Sequence, residues 1–177
     1  MGVDLQQDHF TLFGLPRRFG IDRAALDAAY HELHSEVHPD RHAHLPDADK
    51  RRAMQWATRV NEAYSTLSKP RPRACYLLQL EGLDAGFESN TAMTPDFLME
   101  QMEWREAVEE ARNAGDGDEL SQLHVRLRHQ AREQYGHLER LIDVDRDYDA
   151  AAELVRRLMF IEKLQHEIDD ALEALET

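Results

Sequence analysis

The stretch AYHELHSEVHPDRHAHLPDADKRRAMQWATRVNEAYSTL, residues 29–67, decides how the N-terminal half folds. Ahead of its central proline, Leu26, Tyr30, Leu33 and Val37 recur at intervals of four, three and four residues. Behind it, Ala53, Ala57, Val60, Ala63, Tyr64 and Leu67 recur in the same way. Apolar residues so spaced form one stripe of an α-helix, because 3.6 residues complete a turn. Pro39 cannot continue the first helix: it lacks an N–H and biases His38 away from helical dihedrals. The spacing therefore predicts an antiparallel hairpin of helices over about 23–37 and 47–68, with His38-Pro39-Asp40 at its tip. Asp22 is the expected N-cap of the first helix, and Ile21 with Leu26 a hydrophobic staple.

Outward from the hairpin, residues 8–15 read as one or two helical turns that plug it. The Lys69-Pro70-Arg71-Pro72 string reads as a break, followed by a short helix over 73–80. Residues 81–94 hold two Gly, an Asn, a Ser and two Thr among scattered apolar residues, so the domain boundary is expected there. Thr94-Pro95 then starts a helix. Helices are expected over 95–114, 117–141 and 147–175, broken at Gly115-Asp116-Gly117 and at 143–147. In the last of them Leu154, Leu158, Ile161, Gln165, Ile168, Leu172 and Leu175 alternate four and three, a heptad-like seam. The expected fold is all-α: a helical hairpin with short flanking helices over 1–80, a linker over 81–94, and an antiparallel three-helix bundle over 95–177.

Charge is unevenly placed. The net of −14 divides into +1 for residues 1–80 and −15 for residues 81–177. The acidic half is repelled by nucleic acid and anionic membranes and suits a basic partner. The N-terminus lacks the basic and apolar regions of a signal peptide, and the single cysteine, Cys75, cannot form an intramolecular disulfide. The chain therefore reads as cytoplasmic, with Cys75 a small buried residue. Gly-rich phosphate loops and nucleophile elbows are missing, and the carboxylate pairs lie on solvated helices, so neither enzyme activity nor a cofactor is expected. His34 and His38 are four apart, with His42 and His44 following, but Pro39 breaks the helical register that a metal pair needs. These read as exposed loop histidines, with no metal site.

The strings FTLFGLP at 10–16, HPD at 38–40, RACYLLQLEG at 73–82 and FLMEQMEWRE at 97–106 together resemble the HscB family of J-domain co-chaperones. The resemblance covers nearly the whole chain. It implies a co-chaperone that delivers the iron–sulfur scaffold IscU to the DnaK-type chaperone HscA and stimulates its ATPase. His38, Pro39, Asp40 and Arg41 would then contact the chaperone, by hydrogen bonds that a charged partner strengthens. The helix over 23–37 departs from the basic face usual in J-domains, carrying Glu32 and Glu36 with His31 and His34.

The first bundle helix has two faces. Phe97, Gln101, Trp104, Val108 and Ala111 share one, the expected core. Leu98, Met99, Met102, Glu103, Glu106 and Glu110 lie on another. Phe160 stands about 200° around its helix from Leu158 and is expected to point away from the seam. The resemblance implies that these last seven residues bind the scaffold. Weak self-association is the remaining partner expectation. The alternative function, a generic J-domain co-chaperone for unfolded clients, is disfavoured by the lack of a Gly/Phe-rich linker and of CxxC repeats.

Overall fold

The computed structural model describes residues 4–83 and 94–176, and the chain divides into two compact units, residues 1–80 and 81–177. Among the described residues there is no strand.

In the N-terminal unit, α1 (His9–Leu12), α2 (Arg23–Val37), a 3-10 turn (Pro39–His42), α3 (Asp47–Ser68) and α4 (Pro70–Leu80) follow in order. Asp8 and Asp22 cap α1 and α2, their carboxylates accepting from the amides of Thr11 and of Ala24 and Ala25. Leu26, Val37, Ala53, Val60, Ala63 and Leu67 are buried between α2 and α3. The alanines on α3 let the two backbones approach closely, and the rings of Tyr30 and Tyr64 stack with centroids 4.1 Å apart. Phe10, Phe13 and Phe19 complete the core with Ala74, Leu77 and Leu78 of α4.

The expected break at residues 69–72 is shorter than its two prolines suggest. A new helix starts at Pro70, because Pro70 and Pro72 occupy its first turn, where an amide has no helical partner to lose. Cys75 is half-buried rather than buried.

The C-terminal unit consists of α5 (Pro95–Ala114), α6 (Gly117–Arg140) and α7 (Tyr148–Glu176), each packed against the other two. Thr94 caps α5 by accepting from the Phe97 amide. Gly115 ends it at φ 65°, with Asp116 N–H donating to the Ala111 carbonyl at 2.9 Å. The break expected at 143–147 is displaced: the chain continues past Arg140 through one π turn (Leu141–Asp145) and stops at Arg146, φ 52°. Leu138, Leu141 and Ile142 explain this, since their helical spacing draws all three into the core.

The α7 seam also differs. Leu154, Leu158, Ile161 and Ile168 are buried as expected, but Gln165 and Leu172 are half-buried and Leu175 is exposed. Val155, Phe160, Leu164 and Ala171 are buried instead. A helix that packs on two neighbours needs a wider buried stripe than a single heptad seam provides.

Candidate functional site

Val37 is the last buried residue of α2, and the chain then leaves the helix at His38 with ψ 131°. Pro39 imposes that extended conformation and starts the 3-10 turn. His38 Nδ1 accepts the Asp40 amide at 3.3 Å, which leaves Nε2 to carry the ring hydrogen. The Asp40 carboxylate lies 3.6 Å from Nδ1 with its side chain 91% exposed. An Nδ1 that accepts the amide cannot also donate to that carboxylate, so the amide bond is what fixes the ring. Behind the turn, the His42 ring meets the Glu36 carbonyl at 2.9 Å and fastens it to the end of α2. Arg41 is exposed and without an ion pair among the described residues. The hairpin tip thus brings His38, Pro39, Asp40 and Arg41 together as a fixed turn that offers a ring N–H, a carboxylate and a guanidinium to a partner.

The base of the hairpin is held by polar contacts. The Tyr64 hydroxyl donates to Asp27 at 2.8 Å, and Arg23 bonds Asp27 at 3.0 Å and the Ser68 carbonyl. The hydrogen bond from Tyr64, together with Arg23, holds the Asp27 carboxyl below its ordinary range. Along α2, His31, Glu32 and Glu36 are exposed, and the His34 and His38 rings meet edge-on at 5.5 Å. Among the described residues no three metal-ligating side chains stand together.

The second candidate surface lies on α5. Leu98, Met99 and Met102 are 47%, 61% and 71% exposed, while Phe97, Val108 and Ala111 are buried behind them. Glu103, Glu106 and Glu110 are exposed on the same side of the helix and carry no ion pair among the described residues. Gln101 and Trp104 are half-buried between the two faces.

Phe160 departs from the outward orientation expected of it. It is 9% exposed, and its ring meets Phe97 at 5.9 Å and 89°. A residue 200° from Leu158 does leave that seam, but it turns toward α5 rather than toward water. The guanidinium of Arg105 covers Phe160 at 5.6 Å and that of Arg157 covers Phe97 at 4.9 Å. Arg105 also pairs with Glu167 at 3.9 Å, and Arg157 with Glu100 at 3.4 Å. Nothing in the residue spacing singled out these arginines. The same is true of His9, which is buried against Tyr76 with ring centroids 4.2 Å apart.

An exposed His-Pro-Asp tip on an antiparallel helical hairpin defines a J-domain protein, and residues 8–76 match the family described as DnaJ domain. Residues 93–169 match the family described as HSCB C-terminal oligomerisation domain. The co-chaperone protein HscB homolog of Aromatoleum aromaticum is 70% identical over 177 residues, covering 100% of both chains. That of an Azoarcus species is 69% identical over 176 residues, 99% of each chain. Among solved structures, chaperone HscB from Vibrio cholerae superposes with TM-score 0.85 at 34% identity, covering 96% of this chain and 99% of that one. Human co-chaperone protein HscB gives TM-score 0.89 at 27% identity, covering 96% and 84%. The chain belongs to the HscB family of J-domain co-chaperones.

Proposed function

We propose that the protein works as an adaptor in the cytoplasm, joining two partners without performing chemistry itself. The tip formed by His38, Pro39, Asp40 and Arg41 docks on the DnaK-type chaperone HscA and favours its hydrolysis-competent state, a shift of a conformational equilibrium. The α5 face presents IscU to the same chaperone, and cluster transfer to recipient iron–sulfur proteins follows. Each of the segments 1–80 and 95–177 carries one of these activities, with 81–94 as the linker. The observation that carries the scaffold half of the reading is the exposure of Leu98, Met99 and Met102 on one helix beside three exposed carboxylates. Such an apolar centre with a charged rim is what a partner surface requires, and methionine adapts to the shape of what it meets. Phe160, buried against Phe97, supports that face from behind. Family membership favours this reading over a generic holder of unfolded clients. Single-turnover ATP hydrolysis by HscA tests it. The full chain and IscU together should accelerate hydrolysis beyond either alone, and purely additive effects would refute the adaptor role.

A further inference from the structure

Positive charge near the hairpin tip lies on α3 and not on α2. Residues 47–59, the first half of α3, hold four Lys/Arg against two Asp, whereas α2 holds one Arg against three Asp/Glu. Glu32 and Glu36, four residues apart, share one side of α2 and are exposed. On α3, Lys50 pairs with Asp47 at 3.9 Å. Arg51 and Arg52 are exposed and have neither an ion pair nor a hydrogen bond among the described residues. They stand near the positive end of the helix dipole, where a cation gains nothing from the helix. Their presence is therefore not explained by what folds the hairpin.

Their neighbours are those of a contact surface. The 3-10 turn that carries Arg41 packs against α3, so the start of α3 is continuous with the tip. Arg51 and Arg52 lie about 6 and 8 Å along the axis from that start, at 1.5 Å per residue. Met54 is 59% exposed, with Lys50 and Arg51 its helix-surface neighbours four and three residues before it. Met54 also lines a shallow groove with Leu5, Gln55 and Thr58, and Leu5 is itself 40% exposed. An adaptable apolar side chain beside two unpaired guanidiniums matches a surface that is acidic around an apolar centre.

We propose that the first half of α3, through Arg51, Arg52 and Met54, is a second contact with the DnaK-type chaperone, continuous with the tip and seated on an acidic surface of it. The inference rests on the assignment of the tip to HscA given above. Glu32 and Glu36 are repelled by an acidic surface, so α3 supplies the attraction that α2 lacks. The tip triggers hydrolysis, and α3 sets how readily the two proteins meet.

Single-turnover ATP hydrolysis by HscA, titrated with the full chain, tests the proposal. Arg51→Glu with Arg52→Glu should raise the concentration for half-maximal stimulation at least about tenfold and leave the saturated rate unchanged. Arg51→Gln with Arg52→Gln should give a smaller rise in the same direction, and circular dichroism of both should match the unchanged protein. Arg128→Glu with Arg132→Glu on α6 makes the same change of net charge in the other unit and should shift the half-maximal concentration by less than about twofold. Between about 0.05 and 0.3 M salt the unchanged chain should lose apparent affinity more steeply than the α3 variants, because screening removes what they already lack. Met54→Ala should raise the half-maximal concentration without altering that salt dependence. An unshifted titration for folded Arg51→Glu, Arg52→Glu protein, or an equal shift for the α6 variant, would overturn the α3 contact, and an unshifted Met54→Ala would remove its apolar centre. If His38→Gln abolishes stimulation while the α3 variants titrate normally, this inference falls and the tip assignment stands. Full stimulation by His38→Gln would sink the tip assignment itself.

Discussion

Phe160 of α7 meets Phe97 of α5 edge-on, with ring centroids 5.9 Å apart and planes at 89°. The pair locks the start of α5 onto the bundle, one residue before the exposed Leu98. Removing the Phe160 ring leaves a cavity between two helices. Phe160→Ala is therefore expected to destabilise the C-terminal unit by about 3–5 kcal/mol, the usual cost of such a truncation. Thermal unfolding of the variant in a Trp56→Phe background, where Trp104 alone reports, checks it. A change near zero would show that the ring contributes little to the core.

The exposed face should behave oppositely. Leu98→Ala, Met99→Ala and Met102→Ala combined should leave the melting temperature nearly unchanged. They should weaken IscU binding at least about a hundredfold, near 2.7 kcal/mol, because binding energy concentrates in a few central apolar contacts. Titration calorimetry paired with melts separates the two effects. Reversing Glu103, Glu106 and Glu110 should chiefly slow association and reduce its salt dependence.

Acid should loosen the J-domain through His9. Burial, and then the charge of Arg59, push the His9 imidazole below its ordinary value of 6.5. Between that value and the lower folded one, the unfolded chain binds the extra proton. The contribution to stability is therefore complete above pH 6.5 and is lost as pH falls through the folded pKa. Urea melts of the full chain carrying Trp104→Phe, in which Trp56 alone reports, should show midpoints falling in this window. His9→Phe in that background should remove this part of the slope. Asp8 acts at lower pH: burial raises its carboxyl, but hydrogen bonds from Thr11 and the Arg17 guanidinium outweigh this and hold it below its ordinary value.

The two units should fold and act apart. A chain ending at Leu80 is expected to stimulate HscA weakly, and one beginning near Thr91 to bind IscU without stimulating it. Circular dichroism of each fragment, with calorimetry against the two partners, checks this. Unfolded fragments would contradict independent cores.

Much of the fold was legible because both patterns it depends on are local. The stripe from Leu26 to Val37 and the Asp22 cap fix α2, and Pro39 fixes where it stops. The tip was legible too, since a proline after a helical stripe forces the chain outward. What escaped the sequence depends on neighbours that spacing does not name. The spacing along α7 shows a single heptad seam, whereas packing on both α5 and α6 buries a wider stripe, and Phe160 turns inward for that reason. Pro70 and Pro72 read as a break because proline stops helices, but it also starts them. The burial of His9 against Tyr76, sixty-seven residues away, leaves no local trace.

The most direct measurement is single-turnover ATP hydrolysis by HscA in the presence of the His38→Gln chain. The substitution removes the imidazole that the Asp40 amide fixes at the tip, and the tip contributes no buried side chain to the core. Stimulation should fall to the basal rate while circular dichroism and IscU binding stay as in the unchanged protein. Undiminished stimulation by this variant, folded and bound to IscU, would contradict the assignment of the tip as the chaperone-docking site.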